Sequence, residues 1–188
     1  AGRDVNMKRI AETFLYFVDA AAIMGASVAA LSLGAIPVLV GIEVLARIAL
    51  GSSLGITWEY ATYLMTLTFV LGAAFTLRTG GHIRVSVLPL GTRTILSTLF
   101  ELLSSALALA VVLFIAFALS DLAWQTFVMG TVSATPAQTP LFIPRTAIAL
   151  GAWLLALQFL ARIVAMCIGA PVERPAPGAD PNPDGEPL

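Results

Sequence analysis

Charge is what this chain has least of. Lys, Arg, Asp and Glu make up 11% of its 188 residues, against 59% hydrophobic residues, and its mean hydropathy is +0.93. Soluble domains carry about a quarter charged residues. A chain with so much apolar surface and so little charge cannot hide that surface in a core of its own, so the bilayer must be its solvent. Two further scarcities narrow the chemistry. Cys167 is the only cysteine, which excludes an internal disulfide and any multi-cysteine metal or iron–sulfur centre, and in an apolar stretch it reads as a small packing residue. His82 is the only histidine. A membrane-bound b-type haem held by two axial histidines lacks one of them, and a His-rich metal site or a serine–histidine hydrolase lacks its partners. A net charge of −1 offers no basic surface for nucleic acid. No cofactor is expected, and no cleaved signal peptide, because the first apolar run is too long for one.

Where charge is scarce, its positions divide the chain. Asp19 and Glu43 bracket 23 uncharged residues, Glu59 and Arg78 bracket 18, Glu101 and Asp121 bracket 19, and Arg145 and Arg162 bracket 16. At ~1.5 Å per residue each run crosses, or nearly crosses, a hydrocarbon core of about 30 Å. The expected architecture is therefore an all-α integral membrane protein with four transmembrane helices, at about 19–43, 58–78, 101–124 and 145–169, within a membrane domain of residues 1–170. Ahead of the first span, Met7, Ile10, Phe14 and Phe17 alternate with Lys8, Arg9 and Glu12 as an amphipathic lead-in at headgroup level. Pro37, inside the first span, is expected to kink it or loosen its last turns. Pro144 is placed to open the fourth, which continues past Arg162 while that side chain snorkels or pairs. Residues 171–188 hold six prolines, four acids and one arginine, the composition of a disordered tail.

Lys and Arg set the orientation. Arg3, Lys8, Arg9, Arg78, Arg84, Arg93, Arg162 and Arg174 fall on one side, and only Arg47 and Arg145 on the other. Eight against two puts both termini and the central loop in the cytoplasm.

The acids Asp19, Glu43, Glu59, Glu101 and Asp121 all stand at span ends, where a carboxylate is cheapest. Glu43 and Arg47 are spaced i, i+4 with the acid first, so they can pair on one helix face. Trp58 suits the interface, and Glu59 suits a helix N-terminus. The same Glu59 is the one acid placed to carry protons in a small autonomous drug/proton antiporter, the alternative reading. None of the spans has the broken, glycine-interrupted form of a mid-membrane substrate site. In the polar segment that divides the apolar halves, Gly80 and Gly81 permit a sharp helix exit, while Arg78 and Arg84 reach headgroups or cap helix ends. His82 can donate and accept across that turn.

The run from Glu43 through Arg47 to Trp58-Glu59, followed by Leu71-Gly72-Ala73-Ala74-Phe75-Thr76-Leu77-Arg78-Thr79-Gly80-Gly81-His82-Ile83-Arg84-Val85, resembles the small membrane subunit (DctQ-type) of tripartite ATP-independent periplasmic, or TRAP, transporters. Thr135-Pro136-Ala137 to Ile143-Pro144 looks like that family's last external loop, and Ser86 stands where the family commonly has Asp. The resemblance covers roughly residues 10 to 170. It implies a non-catalytic scaffold in the bacterial inner membrane. A large elevator-type membrane subunit, a separate chain given the tail that ends this one, would import an organic anion such as a carboxylate or sialic acid with sodium coupling. A periplasmic substrate-binding protein would deliver that anion to the external loops. Arg47, Trp58 and Glu59 would then shape the outer side, and Arg78, Gly80, His82 and Arg84 the inner loop; Glu43 and Arg145 are further candidates for structural or partner contacts.

Overall fold

The computed structural model describes residues 2–80 and 95–172, with side chains from 8 to 80 and 98 to 172. The expectations for Gly81, His82, Arg84, Arg93 and the proline-rich tail beyond Val172 fall outside the described residues. Among the described residues four helices follow one another: α1 Gly2–Leu50, α2 Thr57–Arg78, α3 Ile95–Met129 and α4 Phe142–Ile168. All four contain stretches long and apolar enough to cross a membrane, and no strand occurs among the described residues beyond a single bridge between Val132 and Pro140. The protein is a four-helix, multi-pass membrane protein.

The amphipathic lead-in runs straight into the first span, since α1 is unbroken from Gly2 and continues through Pro37 for 13 further residues to Leu50. Proline removes one backbone hydrogen bond, but in an apolar phase the other carbonyls and amides have no alternative partner, so the helix persists around the gap. Helix α4 begins at Phe142, two residues before Pro144. Proline is tolerated there because amides of the first turn have no intrahelical acceptor in any case.

The bundle packs with small residues inward and bulky ones outward. α4 is central and touches the other three helices, whereas α3 packs on α4 and on neither α1 nor α2. Along α4 the buried positions are Ala149, Gly151, Ala152, Ala156, Gln158, Ala161 and Ala165, a stripe of small side chains at helical spacing broken by one glutamine. Among the described residues the largest fully buried side chain is only Val18. Meanwhile Phe100, Leu103, Leu107 and Phe114 of α3 are exposed. Lipid is as apolar as leucine, so burying leucine gains little in a membrane, and helices associate through close backbone approach instead. Gly25 and Gly151 are the tightest such points. A Cβ on Gly25 would lie 2.9 Å from Leu154 Cδ2, and one on Gly151 would lie 2.6 Å from Val70 Cγ1. Gly72, in the Gly-Ala-Ala run of α2, faces open space, while Ala74 is fully buried.

Candidate functional site: two polar belts

Most of the charged residues that bound the spans gather into two layers, with Thr126 taking part in one of them and Asp121 instead holding Gln125 on the exposed face of α3. Asp19, Arg78, Glu101 and Arg162 lie at one end of the bundle, and Glu43, Glu59, Thr126 and Arg145 at the other. Along the helix axes the layers are separated by ~36 Å on α1 (Asp19 to Glu43), ~29 Å on α2 (Glu59 to Arg78), ~38 Å on α3 (Glu101 to Thr126) and ~26 Å on α4 (Arg145 to Arg162). These lengths bracket the thickness of a hydrocarbon core. The belts therefore mark where the protein meets headgroups, one on the side of the central loop and the other on the side of the two short loops.

The belt by the short loops is built on two carboxylates held by hydroxyls and backbone. Glu43, only 6% exposed, is a hub near the end of α1. Its Oε1 accepts from Arg47 Nε at 2.8 Å and Ser53 Oγ at 2.6 Å. Its Oε2 accepts from Thr57 Oγ1 at 2.8 Å and the Leu54 amide at 3.2 Å. The i, i+4 spacing read from the sequence thus pairs Glu43 with Arg47, whose own side chain is largely exposed. One carboxylate also fixes the whole Gly51–Ile56 turn onto α1 and sets where α2 starts. Glu59, equally buried, accepts from Tyr63 OH at 2.8 Å one turn along α2 and from Thr135 Oγ1 in the loop between α3 and α4.

That second loop is a small hairpin. Ser133 N donates to Thr139 O at 2.9 Å and Leu141 N to Thr131 O at 3.1 Å, and Thr139 Oγ1 reaches Tyr60 OH at 3.3 Å. Arg145 donates to Thr126 Oγ1, tying the start of α4 to the end of α3. Trp58 makes no such tie. It is 86% exposed, with an indole free to lie among headgroups or against another chain.

The belt by the central loop consists of ion pairs between helices. Arg78 Nε lies 3.1 Å from Asp19 Oδ1, joining α2 to α1 with both side chains almost fully covered. Arg162 Nη2 donates to Glu101 Oε1 at 2.8 Å, joining α4 to α3. Gln158 Nε2 donates to the Val18 carbonyl at 3.1 Å and adds an α4–α1 tie at the same level. Arg78 therefore faces the bundle interior, and Arg162 pairs. Just beyond, Gly80 takes φ +75°, a left-handed turn that glycine adopts without strain.

Sequence reasoning found most residues of both belts but missed their partners. Thr135, Thr57 and Ser53 carry no signal on their own, and Gln158 was overlooked although it is the one polar residue between Thr146 and Arg162 of α4. That isolation was the available clue.

Four membrane-crossing helices with charges drawn to their ends define a helical membrane subunit rather than a soluble or single-pass protein. Residues 36–167 match the family described as tripartite ATP-independent periplasmic transporters, DctQ component. The chain belongs to this family and is the small membrane component of a TRAP transporter. No curated protein and no solved structure matches it.

Proposed function

We propose that the chain is a non-catalytic, cofactor-free frame within its transporter. A large membrane subunit that it braces would carry an organic anion, such as a carboxylate or sialic acid, inward with sodium. The binding protein that captures this anion would dock on the side of the short loops. Both termini and the central loop then face the cytoplasm across a bacterial inner membrane, as the eight-to-two distribution of Lys and Arg favours.

The observation that carries this reading is how the charges are used. The eight ionisable residues Asp19, Arg78, Glu101, Arg162, Glu43, Arg47, Glu59 and Arg145 are all engaged in ties that fix helix ends and loops. Charges so engaged brace the bundle, and the bulky outward residues of α3 offer the apolar contact area a large membrane partner needs. Glu59, anchored to the hairpin by Thr135, works as a joint and not as a proton carrier. The test is reconstitution. The chain alone in liposomes should neither bind nor move organic anions, and uptake should require a co-purifying larger membrane protein. Uptake or proton-coupled efflux by the chain alone, abolished by Glu59→Gln, would overturn the reading in favour of an autonomous antiporter.

A further inference from the structure

At the level of the ion-pair belt, α1 near Asp19 and the ends of α2 and α4 line a small, partly open void of about 20 Å³, to which Asp19, Arg78, Gln158 and Arg162 contribute the polar groups. Arg78 stands out within it. Its side chain is nine-tenths buried, yet Nε and Nη1 have no hydrogen-bond partner. The Nε lies close enough to Asp19 for an ion pair, but the angle makes no hydrogen bond. A buried guanidinium with idle N–H groups is costly, and native structures resolve such cases with an ordered water or ion. Size decides which. A water needs roughly 10–15 Å³ of such space and two to four polar partners, and this void supplies both. A lipid phosphate with its four oxygens is too large. Gln158 uses its amide on Val18, which leaves its side-chain oxygen as an acceptor.

We propose that this void is the binding site of one structural water that accepts from Arg78 Nη1–H and donates to the Asp19 carboxylate and the Gln158 oxygen. The water converts an ion pair of poor angle into a closed hydrogen-bonded ring joining α1, α2 and α4. It also explains why an amide sits in the alanine stripe of α4 at this level.

The test is a high-resolution cryo-EM map of the chain in its transporter complex in nanodiscs. The expected result is a single round peak about 2.6–3.2 Å from Arg78 Nη1. Three results would overturn the proposal: an empty void in a map that shows other buried waters, density that runs on into an acyl chain, or a peak that strengthens when chloride is exchanged for bromide. As a second reading, Ala161→Val, which fills the lining without touching a polar group, should expel the peak while the Asp19–Arg78 pair stays. A peak that persists beside a valine occupying the void counts against a water held there. If that variant does not assemble, the wild-type map alone decides.

Discussion

The two belts solve one problem by opposite means. By the short loops, Glu43 and Glu59 are satisfied by hydroxyls and an amide supplied largely from the turns, so each carboxylate organises a loop. By the central loop, Asp19 and Glu101 face arginines on neighbouring helices, so each charge joins two helices directly. The difference teaches where rigidity comes from. Neutral donors spread a carboxylate's charge over several ordinary bonds, and losing one leaves the others. A buried ion pair puts more of its benefit into a single contact between two charges, so removing that one partner costs more.

The sharpest way to break this comparison is therefore on the Asp19–Arg78 pair. Arg78→Met should destabilise the bundle by about 1–3 kcal/mol, because the largely covered Asp19 would lose the guanidinium that faces it from α2. Asp19→Leu combined with Arg78→Met should recover most of that loss. Thermal or denaturant unfolding in nanodiscs would measure both. A single variant no worse than the double would show that the pair is not what holds α1 to α2 at this end. Arg162→Gln should have the same sign and a smaller size, since Glu101 is a third exposed and water can still reach it.

How much of this was legible in the sequence depends on scarcity. Charge is so rare that Asp19, Glu43, Glu59, Arg78, Glu101 and Arg162 announce the span ends by position alone, and the four helices follow. Within a span the signal vanishes. A helix apolar all round has no hydrophobic stripe to show which face meets a neighbour, so nothing pointed to Gly25 and Gly151 as the close contacts or to α4 as the central helix. The Glu43–Arg47 pair was readable because it is local. Asp19 with Arg78, and Glu59 with Thr135, join residues far apart in the chain, and only the packed bundle reveals them. The start of α4 was placed two residues late because Pro144 was read as its first residue, whereas the first helical turn admits proline at its third position as well.

On the side of the short loops the comparison predicts smaller and more local effects. Thr135→Val removes one of the hydroxyls on Glu59 while keeping shape, and should cost about 1 kcal/mol. Its main consequence should be a freer 130–141 hairpin, read as faster amide exchange at Ser133 and Leu141, whose amides bond across the hairpin, with α2 unchanged. Exchange that rises equally throughout α2 would mean that Glu59 supports the helix and not the loop.

The smallest effect is expected at Arg47. Although it bonds Glu43 at 2.8 Å, its side chain is largely exposed, so solvent screens the pair, and Glu43 keeps Ser53, Thr57 and the Leu54 amide when the arginine is gone. Arg47→Ala should leave the melting temperature nearly unchanged at any salt concentration, as most exposed ion pairs do. Ser53→Ala, which removes the shortest bond to Glu43 and also the acceptor for the Gly55 amide, should lower it more. The order of these two variants separates the views of the Glu43 hub. If Arg47→Ala were the worse one, charge pairing would dominate at both ends of the bundle, and the contrast between hydroxyl-held and arginine-held acids would fail.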